Sequence, residues 1–226
     1  MQARLILFDC DGTLMNSHHH IIAVMQASFA ECGFAVPMKE AVLPVIGLSL
    51  DLAVQRLLPD EEPDVAALLT ARYRQLYHAM PADYCLFESV SETLDALLQR
   101  GYWLGVVTGK SHAGLQQVLD AFDLRRYFLV TRTADQCPSK PHPAMVVECM
   151  AEMGVGAGQT CVIGDALLDI QMARAGGVRA LGVSFGVADS ESLLEAGAAH
   201  VVDRFSDLLA HFPHLQATQP SSTIRE

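Results

Sequence analysis

"RLILFDCDGTL", residues 4–14, is an apolar run that ends on two acids. Leu5, Ile6, Leu7 and Phe8 follow one another without a polar break. Such a run suits a short strand buried on both faces, the kind a parallel sheet uses. Asp9 and Asp11 come next, one residue apart, and Gly12 and Thr13 then turn the chain. A strand alternates its faces, so the two carboxylates can point the same way. Like charges that close repel, and each raises the cost of ionising the other. A metal ion, a phosphate or a shared proton would each justify the pair. So would an Asp-Gly turn in which the first aspartate caps. The surrounding sequence has to decide.

From about residue 15 to residue 84 the pattern is helical. "HHHIIAVMQASFAECGF" (18–34), "SLDLAVQRLL" (49–58) and "DVAALLTARYRQLYHAM" (64–80) carry apolar residues at helical spacing, with Ser49 placed as an N-cap. No strand is expected there. Beyond residue 85 strand and helix alternate. The strands read as "YWLGVVT" (102–108), "YFLVT" (127–131), "TCVIG" (160–164), "VRALGVS" (178–184) and "AHVVD" (199–203). Helices fall between them, and "FSDLLAHF" (205–212) reads as a last helix. This order predicts an α/β fold, a doubly wound parallel sheet with an all-helical insertion after its first strand. The expected division is a core of residues 1–14 and 85–213, a helical cap of 15–84 and a polar tail of 214–226.

The bulk properties narrow the function. The chain has 226 residues, 51% of them hydrophobic, enough for one large core. Its formal net charge of −11 gives no basic footprint for nucleic acid. No apolar run reaches the length of about 18 residues that a membrane helix needs. The start leads straight into the first strand without a basic leader, so no signal peptide is expected. Six cysteines without a CxxC spacing predict reduced thiols and a cytoplasmic protein. The expected state is a monomer or homodimer.

In open α/β sheets ligands bind at the carboxyl ends of the strands. "GVVTGKS" (105–111) ends a strand on Thr108, followed by Gly109. It is not a nucleotide phosphate loop, because the glycine that such a loop needs at 104 is Leu104. In "SKPHP" Lys140 precedes Pro141, where a helix is expected to begin. It reads as a cation beside a helix N-terminus, suited to phosphate, or as a solvated surface lysine. In "GDALLD" (164–169) Asp165 and Asp169 stand one helical turn apart, facing one way, or as a cap and a surface acid. Taken together, Asp9, Asp11, Thr108, Lys140, Asp165 and Asp169 all fall at strand ends or just after them. Two carboxylates about 4 Å apart repel by about 4 kcal/mol at an effective dielectric of about 20. Four of them need a compensating divalent cation as well as Lys140. Oxygen ligands alone suit Mg²⁺.

"DCDGTL", "VVTGK", Lys140 in "SKPHP" and "GDALLD", in this order, resemble the four motifs of the haloacid dehalogenase superfamily. The nearest likeness is the phosphoglycolate phosphatase-like and CbbY-like branch, whose helical cap the insertion resembles. The resemblance implies a Rossmann-like core and roles for each motif residue. Asp9 would be the nucleophile that forms an aspartyl-phosphate, and Asp11 the acid and then the base. Thr108 and Lys140, with Gly109 beside them, would hold the phosphoryl oxygens. Asp9, the backbone carbonyl of Asp11, and Asp165 would hold Mg²⁺, with Asp169 acting behind them. Asn16 and Gly109 depart from the common pattern, which carries Asp and Asn there.

The implied activity is a Mg²⁺-dependent phosphatase of a small phosphorylated metabolite. A phosphomutase of the same superfamily is the alternative. A receiver-like phospho-switch fits less well, since it lacks an acid two residues after its aspartate and needs no cap. Within the insertion, Ser49 at a helix start and Arg56 one face along it are the expected substrate contacts. Arg56 reads equally as part of a solvated helix face. His18, His19 and His20 suit a hinge or helix start rather than a metal site, because adjacent helical residues diverge.

Overall fold

A computed structural model describes residues 3–58, 63–81 and 84–215 of the chain. In chain order the elements are β1 (Leu5–Phe8), β2 (Met15–Asn16), α1 (His18–Glu31), α2 (Lys39–Val42), α3 (Leu50–Leu57) and α4 (Pro63–Ala79). Then come β3 (Cys85–Leu86), α5 (Val90–Gln99), β4 (Trp103–Thr108), α6 (His112–Ala121), β5 (Phe128–Thr133) and α7 (Ala144–Met153). The chain continues through β6 (Thr160–Gly164), α8 (Leu167–Ala175), β7 (Arg179–Val183), α9 (Ser190–Ala196) and β8 (His200–Val202).

The long strands form one parallel six-stranded sheet in the order β5-β4-β1-β6-β7-β8. β1 lies inside it, pairing Phe8 with Val106 on one side and Ile163 on the other. Both its faces are covered, which explains its unbroken apolar run. Ile6 and Phe8 join a cluster with Val106, Ile163 and Phe205, while Leu5 and Leu7 join Val107, Val162 and Ile170. The chain builds the sheet outward from β1 in both directions, so β1 is its topological switch point, where the carboxyl edge forms a crevice.

The helices α1, α3 and α4 enclose a separate apolar cluster that includes Val24, Phe29, Val54, Leu69 and Tyr73. They meet the sheet side through a smaller one, in which Val45, Leu48 and Ala53 pack on Leu168 of α8. Among the described residues no helix is long and apolar enough to cross a membrane.

Several local expectations are corrected. The stretch from 15 to 84 does contain a strand: β2 pairs antiparallel with β3, Met15 opposite Leu86 and Asn16 opposite Cys85. Two residues are too few to leave an alternating pattern. The expected last helix is a 3₁₀ segment, Phe205–Ala210. β5 runs on to Thr133, two residues past its expected end, because it stays in register with β4 as far as Thr108. The tail from residue 216 onward lies outside the described residues.

Candidate active site

Asp9 continues the line of β1, its N–H donating to the Ile163 carbonyl at 2.9 Å. That bond fixes its carboxylate at the carboxyl edge of the sheet, where it is 1% exposed. The following loop folds over Asp165. Gly12 makes this possible: its φ is +84°, and a Cβ there would lie 2.0 Å from Asp165 Oδ2. Thr13 Oγ1 donates to Asp165 Oδ1 at 2.7 Å, and the Val187 N–H donates to Oδ2 at 2.9 Å.

Lys140 closes the group. Its Nζ lies 2.7 Å from Asp9 Oδ1 and 2.7 Å from Asp169 Oδ1, with none of its side chain exposed. Asp169 Oδ2 accepts from the Ala166 N–H at 3.1 Å. The helix that follows Lys140 starts only at Ala144 and not at Pro141, so the ammonium does not stand directly at a helix N-terminus. Two carboxylates hold it instead. Asp165 likewise precedes its helix, which begins at Leu167, and so does not share a helical face with Asp169.

Ligand oxygens of Asp9, Asp165 and Asp169 all lie within 4.8 Å of one another. The Lys140 contact to Asp9 Oδ1 is an ion pair without hydrogen-bond direction, which leaves that buried oxygen without a directed donor. One ammonium does not balance three buried carboxylates. Burial raises the Asp9 carboxyl to about 7 even though Lys140 opposes it, and Asp169 adds to the rise. Burial first, then Asp169 and Asp9, hold Asp165 well above the usual carboxylate range. Burial pushes the Lys140 ammonium down, but Asp169 and Asp9 outweigh it and leave it raised. The cluster therefore favours either bound protons or a further cation.

Thr108, the last residue of β4, is fully buried, and its hydroxyl oxygen accepts the Lys110 N–H at 3.2 Å. Asp11 does not join the group of three carboxylates, as the sequence suggests it would; it lines a cavity of ≈ 370 Å³. Its Oδ1 accepts from Ser17 Oγ at 2.5 Å and pairs with Lys110 Nζ at 2.9 Å. The cavity lies between the sheet edge and the helices of the insertion, with Gly109 and Lys110 on one wall and Gly47, Ser49 and Tyr77 on the other.

The two expected contacts of the insertion part company. Ser49 lines the cavity, but its side chain caps nothing; its N–H donates across to Ser139 Oγ at 2.8 Å. Arg56 is exposed and does not line the cavity. The arginine that does so is Arg74, 3.6 Å from Asp51. Gly109 sits directly under the insertion: a Cβ there would come 2.4 Å from the Gly47 carbonyl oxygen and 2.5 Å from that of Leu48. The three histidines open α1, with His20 buried against the rings of Tyr77 and Tyr84. Among the described residues no histidine joins a metal-ligating group. In the sequence Lys110 stands in the rejected phosphate loop and at the end of "VVTGK", with no role assigned to it. Its signal is a charged residue two places after a buried strand end.

Residues 6–183 match the family model of haloacid dehalogenase-like hydrolases. The chain belongs to that family. Among haloacid dehalogenase-like hydrolases it is 31% identical to a phosphoglycolate phosphatase of Pectobacterium atrosepticum, over 93% of each chain. It is also 31% identical to the "Probable phosphatase IndB" of Dickeya dadantii, over 91% of each. The crystal structure of a predicted phosphoglycolate phosphatase from Haemophilus somnus superposes with a TM-score of 0.84 at 26% identity. It covers 93% of this chain and 98% of its own. This hydrolase is thus phosphoglycolate phosphatase-like, with the Rossmann-like fold of its family.

Proposed function

We propose that this hydrolase removes phosphate from small phosphomonoesters of the phosphoglycolate kind, through an aspartyl-phosphate on Asp9. The observation that carries the reading is the division between the two acids of the first motif. Asp9 is buried beside Lys140, whereas Asp11, two residues on, faces the cavity. The substrate phosphoryl group would lie at the sheet edge and its leaving group in the cavity. An Asp9 oxygen attacks phosphorus as the bond to the leaving oxygen breaks, and that oxygen takes its proton from Asp11. Water then attacks the same phosphorus and gives a proton to Asp11. The bond from phosphorus to Asp9 breaks, and the carboxylate is restored with release of orthophosphate. Lys140 and the Thr108 hydroxyl hold the phosphoryl oxygens as charge develops on them.

The donor set suits Mg²⁺, since the nearby groups are oxygens and Asp9 Oδ1 lacks a directed donor. Asp9, the Asp11 backbone carbonyl and Asp165 would hold the ion, with Asp169 fixing Lys140 behind them. When bound, it would neutralise the carboxylates and the phosphoryl oxygens together. Residues 15–84 would form a cap that closes over the leaving group, hinged on the β2–β3 ribbon. Six free cysteines suit a reducing, cytoplasmic setting.

The test is release of orthophosphate from a panel of phosphorylated metabolites and from p-nitrophenyl phosphate. Excess chelator should stop it, Mg²⁺ should restore it, and Ca²⁺ should substitute poorly because its coordination is larger and looser. Full activity in excess chelator would overturn the metal assignment.

A further inference from the structure

Lys110 has no part in the scheme above, yet few lysines are held as it is. Its N–H donates to Thr108 Oγ1, and its carbonyl accepts the Ala134 N–H at 3.1 Å. Its side chain is 10% exposed, and the ammonium has two partners. One is Asp11 Oδ1 at 2.9 Å, and the other is the Tyr77 hydroxyl at 3.1 Å. Burying an ammonium costs several kcal/mol unless it is paired, so this is no solvated surface lysine.

The partners belong to different parts of the molecule. Asp11 stands at the carboxyl edge of the sheet, and Tyr77 near the end of α4. Tyr77 is itself fixed, stacked on Tyr73 and Tyr84 with centroids 5.8 and 6.4 Å away, and edge-on to His20. Asp11 Oδ1 takes Ser17 Oγ as its second donor, at the foot of α1. Two donors on one oxygen set the torsion of a carboxylate; one leaves it free to turn. A proton is transferred well only when the acid lies within hydrogen-bond reach of its target.

We infer that Lys110 is a positioning residue: it aims the Asp11 carboxylate at the leaving oxygen and, through the Tyr77 hydroxyl, ties that aim to the seating of helix α4. With α4 seated, Tyr77 holds the ammonium from behind and the ammonium holds Asp11. With α4 lifted, Lys110 keeps the charge but loses the constraint. Acid catalysis is then strongest with the insertion closed. Gly109 allows the same seating next door, because it leaves room for the Gly47 and Leu48 carbonyls.

The inference rests on the acid role proposed for Asp11, and leaving-group chemistry separates the two. Alkoxides leave badly without a proton, whereas p-nitrophenolate leaves without one. The quantity to measure is kcat/KM, which reports the first chemical step, for phosphoglycolate, ethyl phosphate and p-nitrophenyl phosphate in the full-length protein. Lys110→Met should lose about 100-fold on both alkyl phosphates and no more than about threefold on the aryl one. Tyr77→Phe, which keeps the ring packing, should show the same split at about tenfold. It keeps the test available should Lys110→Met fail to fold. Equal losses on all three substrates would overturn the inference. So would a loss confined to phosphoglycolate, which would make Lys110 a binder of the substrate carboxylate. Asp11→Asn is the control. If it shows no leaving-group dependence, the acid role of Asp11 falls and the inference with it. If Asp11→Asn shows the split and Lys110→Met does not, the inference alone falls.

Discussion

All four residues of β1 are buried, and the strand is paired on both sides, whereas the eight-residue helix α3 buries only Ala53 and Val54. Asp9, the proposed nucleophile, continues the first kind of element, and the far wall of the cavity belongs to the second. Moving β1 would disturb two apolar clusters and two ladders at once. Moving the insertion disturbs apolar contacts to Leu168 and Val187, hydrogen bonds from Ser49 to Ser139 and from Ser17 to Asp11, and the Lys110–Tyr77 contact. Local stability follows the density of such contacts, so the proposed chemistry lies on the rigid part and the proposed selection on the yielding part. Substitutions on either side of that divide test it.

The largest effect belongs to the core. Asp9→Asn should lower turnover by about 10⁴-fold, roughly 5.5 kcal/mol in the barrier, while circular dichroism stays unchanged. Asparagine keeps the shape and removes the nucleophile, so the loss is chemical rather than structural. Mass spectrometry must confirm that the amide has not reverted to the acid. Turnover near that of the natural protein would move the nucleophile elsewhere.

Lys140→Met should be the next largest, costing about 3–5 kcal/mol of stability because it strands two buried carboxylates. Its sign with pH is fixed by Asp9. A carboxyl raised from 3.8 to about 7 stabilises the fold most when protonated, so metal-free stability falls as pH rises through that window. Without Lys140 the carboxyl rises further. The deficit of the variant should therefore be small at about pH 5 and widest above about pH 7. Urea midpoints in chelator at both pH values measure it. A deficit that does not change with pH would show that the ammonium matters for packing and not for charge.

The same divide governs what could be read from the chain. The core was legible because a parallel strand buried on both faces leaves an uninterrupted apolar run, and because "DCDGTL", "VVTGK" and "GDALLD" each end one. Lys140 groups with the carboxylates already by its place after a strand end, but its two close contacts, to Asp9 and Asp169, come from the sheet order. The role of Lys110 is hidden for the same reason: its partners lie 99 residues away at Asp11 and 33 away at Tyr77. The ribbon of β2 and β3 was too short to show a period. In the insertion, helical spacing located α1, α3 and α4 but could not say which face of α3 meets the cavity.

Gly109→Ala probes the seam between the two parts. The new Cβ would meet two backbone carbonyls of the insertion, and backbone yields less readily than a side chain. Overpacking of this kind costs about 1–3 kcal/mol. If the insertion is the part that gives way, the cost appears as a KM raised about tenfold with kcat and melting temperature little changed. A lower melting temperature with unchanged KM would show insertion and core melting as one body.

The smallest effect should come from Arg56→Ala. On sequence alone Arg56 was a candidate to read an acidic group of the substrate, because it sits one face along a helix whose start could meet an anion. The helix does present Ser49, Leu50, Asp51 and Ala53 to the cavity, but Arg56 is exposed and lies off its lining. A charge reaching a substrate from there would cross solvent, where it is screened within about 8–10 Å. Exposed substitutions of this kind usually stay within about 0.5 kcal/mol. The expected outcome is kcat/KM within about twofold of the natural protein on phosphoglycolate and on p-nitrophenyl phosphate alike. Arg74→Ala is the informative partner, since Arg74 lines the cavity beside Asp51. A tenfold loss for Arg56→Ala confined to phosphoglycolate would mean that α3 rotates on substrate binding. The insertion would then change its own packing, and not merely its seat on the core.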